Sequence, residues 1–372
     1  MDAGWYTGSA GESVAWPQTG SMDIDYTRFP DGMASIGEFA EKNDAMFLLW
    51  FEPENMRLDT EAFLAGQEGF KEEWLLSTVA EGSWLQSRII NLGNPECREW
   101  VFAKISKVID TAGVTGYRQD FNNDPAPAWA ENDAKTEGRT GMTENQYVQG
   151  YLALWDALID KYGLFIDSCA SGGGRNDLET MKRAVPLHYT DWFDGNHEDY
   201  DMKGKMTQAL FAWLPYFGTV VDGPATCNRV DRYGLRSSFC SFPVLEYNLN
   251  SSELDWQTAK ACVDEWEQIK GFYDDDYYLL SEWNRSDSEW TAWEFYDSQS
   301  GKGFFEVFRP AKAADSSFTV KLKGLKNSAS YKLTDTEGRF EVTVSGSELK
   351  KAGYTITLAE AYSSAVVLIE EV

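Results

Sequence analysis

The feature that most constrains this chain is a repeated alternation of a short apolar run with an amphipathic stretch. The runs lie at 46–50, 88–92, 114–120, 164–169, 185–191, 211–221 and 239–247. Helical patterns lie between several of them. The segment 96–112 recurs apolar at Trp100, Val101, Ile105, Val108 and Ile109, and 145–162 does so at Tyr147, Tyr151, Leu154, Trp155, Leu158 and Ile159. Pro95 suits the first turn of the former helix. Alternating strands and helices imply a parallel sheet joined by right-handed crossovers. Seven runs and a strand-end stub at 2–6 make eight, so the expected fold is α/β, a (β/α)8 barrel rather than a doubly wound sheet.

The pattern changes after about residue 275. A last helix is expected over 255–272, and from there short alternating segments follow at 290–296, 303–308, 317–322, 331–335, 340–344, 355–358 and 364–369. Clusters of Gly, Asp, Ser and Asn separate them, which is the signature of an all-β sandwich. The expected division is a barrel over 1–275 and an antiparallel sandwich over 276–372. Asp274, Asp275 and Asp276 read as a solvated linker rather than a metal site.

Composition removes several function classes. Sixty Asp and Glu against 33 Lys and Arg give a formal charge of -27. Such a surface repels phosphate backbones and anionic lipids, so neither nucleic acid nor a membrane surface is an expected partner. No apolar run is long enough to span a bilayer. The five cysteines (Cys97, Cys169, Cys227, Cys240, Cys262) form no C-x-x-C pair, and their odd number favours reduced thiols and a cytoplasmic setting. With only His188 and His197, neither a His-rich metal site nor a Ser-His-Asp triad is expected, and no cofactor is implied. The 15 Trp suit stacking on the apolar faces of sugars, although most of them belong to the core.

In such barrels chemistry sits at the C-terminal ends of the strands. The residues there are Asp2, Trp5, Trp50, Glu52, Glu54, Arg118, Asp120, Asn122, Asp167, Cys169, Arg175, Asp177, Asp191 and Asp194. A rim of carboxylates and aromatics fits glycosidic cleavage, in which one carboxylate attacks or activates water and a second protonates the leaving oxygen. The Gly-rich segment 168–175 has neither phosphate-binding layout and instead lets backbone approach a small ligand such as a sugar ring. Arg175 is either a ligand contact or a structural partner of Asp177 or another rim acid.

Six segments, in order, carry a resemblance: Asp2-Ala3-Gly4-Trp5-Tyr6, Trp50-Phe51-Glu52-Pro53-Glu54, Asn91-Leu92-Gly93-Asn94-Pro95, Tyr117-Arg118-Gln119-Asp120-Phe121-Asn122, the stretch 167–175, and Thr190-Asp191. The chain resembles the catalytic region and following β-sandwich of glycoside hydrolase family 36, the α-galactosidases and α-N-acetylgalactosaminidases. The resemblance implies Asp120 as nucleophile and Asp191 as acid/base in a retaining double displacement. It implies Asp2, Trp50, Arg118, Asn122, Cys169, Gly172, Arg175 and Asp194 as substrate-binding residues, and no metal. The implied substrate is a terminal α-galactoside of an oligosaccharide or glycoconjugate, and a homo-oligomer is the family's habit. Three positions depart from the pattern: Ala3 replaces a second acid, Asn94 stands where an Arg is common, and Arg118 replaces a Lys. The family's N-terminal β-sandwich and complete first strand have no counterpart here. Competing expectations are an α-N-acetylgalactosaminidase, a non-catalytic carbohydrate-binding relic, and a metal-dependent hydrolase built on Asp120, Asp191 and Asp194.

Overall fold

The computed structural model describes residues 1–7, 19–57, 69–76, 87–190, 199–220, 230–245 and 247–372. They form two compact units, Met1–Pro186 and Leu187–Val372.

The strands of the first unit are β1 (Leu48–Phe51), β2 (Asn55–Arg57), β3 (Leu75–Leu76), β4 (Ser87–Ile90), β5 (Gly116–Gln119) and β6 (Phe165–Ser168). A parallel sheet runs in the order β1-β5-β6 and continues through a parallel bridge from Asp167 to Val185. The helix Pro95–Ala112 leads into β5 and Met142–Tyr162 into β6. The first begins where the Asn94 side chain accepts from the Glu96 and Cys97 amides and Pro95 fills the first turn. It ends at Gly113, whose φ of 68° is the left-handed cap that glycine supplies without strain. Its buried face carries Val101, Ile105, Val108 and Ile109; each such side chain removed from water stabilises by roughly 1.5–3 kcal/mol.

Two sequence expectations change here. The run at 88–92 is not a strand of the parallel sheet: β4 pairs antiparallel with β2 and β3, and Leu48 of β1 pairs directly with Gly116 of β5. An apolar run reports burial, not its pairing partner. The stub at 2–6 is a series of turns, with a single antiparallel bridge from Tyr6 to Ile24. Met1 does lie along β1: its N–H donates to Leu48 O (2.7 Å), and the Trp50 N–H donates to Met1 O (3.0 Å), the parallel pattern. Trp5 then turns onto the sheet and donates from Nε1 to Trp50 O at 2.8 Å.

In the second unit, β7 (Gly218–Val220) and β8 (Phe242–Val244) are parallel. The helix Trp256–Ile269 follows, and then β9 (Asp276–Leu279), β10 (Thr291–Asp297), β11 (Lys302–Arg309), β12 (Ser317–Val320), β13 (Ser330–Asp335), β14 (Glu341–Ser345), β15 (Tyr354–Thr357) and β16 (Ser363–Glu371). Six of these form one sheet in the order β14-β13-β16-β11-β10-β9, and the β12-β15 ribbon packs on it over a core that includes Phe305, Val307, Val320, Ile356 and Val367. The other face of the sheet meets the preceding helices: Phe211 lies 4.8 Å from Phe295, and Tyr273 lies 5.7 Å from Phe304, ring centre to ring centre. These aromatic contacts tie 187–273 to the sheet, so the packing boundary falls at residue 186 while the sequence pattern changes near 275. Asp276 opens β9, so the acidic run is not wholly linker.

Candidate active site

Strand register decides which side chains meet. Trp50 pairs with Arg118, and Arg118 with Asp167, so all three project from the same face of the sheet. Phe51, Gln119 and Ser168 pair in turn and project from the other. Two polar networks result, one on each face.

On the first face, Arg118 Nη1 donates to Asp167 Oδ2 at 2.7 Å and Nη2 to Cys169 Sγ at 3.1 Å. Asp120, two residues after Arg118, is 4% exposed. Its Oδ2 accepts from Trp50 Nε1 (3.1 Å) and Asn122 Nδ2 (2.7 Å). Its Oδ1 accepts from the Phe121 amide (2.8 Å) and the Ser171 amide (3.2 Å). Burial pushes this carboxyl up, but the charge of Arg118 and the hydrogen bonds from Asn122, Trp50 and Cys169 more than reverse the effect, leaving its pKa below the usual carboxylate value. Asp120 is therefore an ionised, buried carboxylate at a strand end.

The Gly-rich loop serves this carboxylate directly. Ser171 sits at φ 46° and Gly172 at φ 80°, both left-handed, and this turn aims the Ser171 amide at Asp120. Gly172 meets the conformation without strain, and a Cβ on Gly174 would stand 2.7 Å from Ala170 O. The Ser171 hydroxyl donates to Asn122 Oδ1 at 3.0 Å and ties the loop to the turn after β5.

On the other face, Glu54 collects Arg175 Nη1 (2.7 and 2.8 Å to its two oxygens), Gln119 Nε2 (2.8 Å) and the Tyr147 hydroxyl (2.7 Å). Gln119 Oε1 accepts from Tyr117 and from Trp155 Nε1. Arg175 also lies over the Phe121 and Tyr151 rings at 4.4 and 5.0 Å. Its guanidinium is thus engaged by Glu54 and two aromatics, while Asp177 caps the short helix Leu178–Met181.

The structure brings together Trp50, Arg118, Asp120, Asn122, Cys169 and Gly172 among the sequence-predicted site residues. Asp2 is exposed at the turn beside β1, its Oδ1 accepting from the Ala3 amide at 2.7 Å. Asp191 and Asp194 lie outside the described residues, as do Cys227 and His197. Sequence reasoning gave no role to Ser171, whose amide is the useful group and carries no side-chain signal. It also left Glu54 and Asp167 as unassigned rim acids; counting alternate residues along β5 would have separated the faces of Arg118 and Gln119. Among the described residues, no three His, Cys, Asp or Glu are grouped to hold a metal. A cavity of about 900 Å³ lies at the opposite, N-terminal end of the strands, against Met46 and Thr115, away from this carboxylate.

Comparison with known proteins gives this geometry a family. Residues 1–268 match the model of the melibiases, and 290–369 match that of the glycosyl hydrolase family 36 C-terminal domain. An α-galactosidase of Lactobacillus acidophilus is 22% identical over 361 residues, covering 95% of this chain and 47% of its own length. The bifunctional α-galactosidase/sucrose kinase of Mediterraneibacter gnavus is 24% identical over 366 residues, covering 95% of this chain and 36% of its own. The solved α-galactosidase of Lactobacillus brevis superposes with a TM-score of 0.80 at 20% identity, over all of this chain and 50% of that one. A Geobacillus stearothermophilus family 36 α-galactosidase, solved with stachyose, gives 0.79 at 18% identity over all of this chain and 50% of that one. The chain spans about half the length of these relatives or less. The fold class is the one expected from the alternating runs, a (β/α)8 barrel followed by a β domain. By the match of its first 268 residues and of the β domain behind them, the chain belongs to the melibiases, glycoside hydrolase family 36.

Proposed function

We propose that this chain hydrolyses terminal α-linked galactose with retention, through an ester on Asp120. One observation carries the reading: Asp120 is buried, ionised and fixed by four donors at a strand end, with Arg118 beside it. That is the state a carboxylate nucleophile needs, since attack requires the anion in a defined orientation. The relatives named above are α-galactosidases, and one was solved with stachyose, which supports an α-galactoside as the substrate.

Double displacement needs a second carboxyl that protonates the leaving oxygen and then draws a proton from water. Asp191 takes this role on the strength of the Thr190-Asp191 motif. Asp191→Ala should then slow hydrolysis of alkyl or sugar α-galactosides roughly 10²–10⁴-fold, the usual worth of general acid catalysis, and slow nitrophenyl α-galactosides far less. Equal losses on both substrates would remove Asp191 from the acid role. A panel of nitrophenyl α-glycosides run alongside separates galactose from N-acetylgalactosamine. No turnover on any of them, with sugar binding retained, would instead favour a carbohydrate-binding relic.

A further inference from the structure

Glu52 is fully buried at the end of β1, beside the Asp120 turn, and the double displacement above leaves it no task. Its Oε1 accepts two short hydrogen bonds, from the Asn122 backbone amide (2.6 Å) and from Asn55 Nδ2 (2.6 Å). Its Oε2 is buried and has no hydrogen-bond partner among the described residues. Among the described residues the ionisable groups facing it are Asp120, from the end of β5, and Tyr6, from the N-terminal turn; the Tyr6 hydroxyl accepts from the Glu52 amide at 3.1 Å. Among the described residues the neighbouring cations are committed elsewhere, Arg118 to Asp167 and Arg175 to Glu54.

A buried carboxylate without a cation, next to a second carboxylate, is among the most costly charges a protein can hold. Asp120 has the Arg118 guanidinium and four donors; Glu52 has two donors to one oxygen. The proton therefore belongs on Glu52. We infer that Glu52 is a positioning residue for the nucleophile, working as a neutral carboxylic acid whose Oε1 grips the Asn122 amide and so fixes the Asn122 side chain on Asp120. The chain of contacts is continuous: Glu52 Oε1 to Asn122 N, then Asn122 Nδ2 to Asp120 Oδ2 at 2.7 Å. Burial first, and then the charge of Asp120, push the Glu52 carboxyl well above the usual carboxylate range, in the same direction as the geometry. This inference rests on Asp120 being the nucleophile of the proposed reaction.

The test uses the whole 372-residue chain with Glu52→Gln and Glu52→Ala. Gln keeps an acceptor for Asn122 and mimics a neutral acid; Ala removes the grip. Glu52→Ala should lose roughly 10²-fold in kcat with KM little changed, the scale of a misplaced reacting group, and Glu52→Gln should recover at least about tenfold of that loss. The acidic limb of kcat/KM reports ionisation of the nucleophile in the free enzyme. It should stay in place in Glu52→Gln, because no charge next to Asp120 has been removed. A limb moved to lower pH would show that Glu52 was an anion, and would overturn the inference. So would equal kcat in the two variants. The infrared difference spectrum of wild type minus Glu52→Gln at neutral pH should show a neutral carboxylic-acid carbonyl band, whose absence overturns the inference whatever the activity. Absence of wild-type turnover would instead sink the proposed activity and leave the infrared result to decide the state of Glu52.

Discussion

Asp120→Ala is expected to remove nearly all turnover of an aryl α-galactoside, a loss of about 10⁴-fold or more by comparison with other nucleophile deletions, while the chain stays folded. The two halves of this expectation have separate causes. Activity falls because the other described carboxylates here are already engaged: Asp167 is bound to Arg118, and Glu52 is held by the Asn122 amide. The fold survives because Arg118 keeps Asp167 as its partner, so removing Asp120 strands no cation. The side chain also gives up the cost of its own burial, although it leaves the donors of Trp50, Asn122, Phe121 and Ser171 to find water. Linkage adds a sign. The folded pKa of Asp120 lies below its unfolded value, so its ionisation contributes stability above the unfolded pKa that is lost as pH falls through the folded one. Asp120→Ala should lose that part of the acid dependence. Circular dichroism and denaturant titration at two pH values check the fold, and stopped assays check the rate. An Asp120→Ala chain with a tenth or more of wild-type turnover would contradict the assignment.

Arg118→Met should injure the fold as well as the reaction. Arg118 is the partner of Asp167, a fully buried carboxylate, at 2.7 Å. Removing one member of a buried pair costs about 3–5 kcal/mol. Denaturant midpoints of wild type and variant measure this, and a loss under about 1 kcal/mol, the worth of an exposed pair, would show that the pair is effectively solvated. The charge of Arg118 also holds the Asp120 pKa down, so the acidic limb of kcat/KM should move to higher pH in the variant. Arg118→Lys separates charge from shape. The guanidinium spans Asp167 with Nη1 and Cys169 with Nη2, a fork that an ammonium does not reproduce. The Lys variant should hold the acidic limb near its wild-type position and recover only part of the stability.

Much of this site could be read from the residues. The strands at 116–119 and 165–168 lie within the apolar runs expected of them, the strand at 48–51 overlaps its run and ends one residue beyond it, and Asp120 falls where a strand turns polar. The sandwich strands from 291 onward also fall close to the segments expected of them, although only some alternate in burial: β13 buries every second residue, while β10 is buried on both faces. What could not be read was pairing. The run at 88–92 is as apolar as a barrel strand, yet β4 pairs antiparallel with β2 and β3. Arg175 was open between ligand and structural partner; its partner is Glu54, 121 residues away, and not the nearby Asp177. Asn94, a departure from the family pattern, is explained locally by its cap on the helix Pro95–Ala112. Ser171 acts through a backbone amide, which every residue possesses, so only its left-handed φ marks it.

The most direct test of Asp120 as nucleophile is mass spectrometry of the chain after reaction with an activated 2-fluoro-α-galactosyl donor, which slows breakdown of a glycosyl ester. The expected result is one fluorogalactosyl group on the peptide that carries Asp120, absent in Asp120→Ala. An active chain that gives no adduct, or one that carries the sugar on another carboxylate, would contradict it.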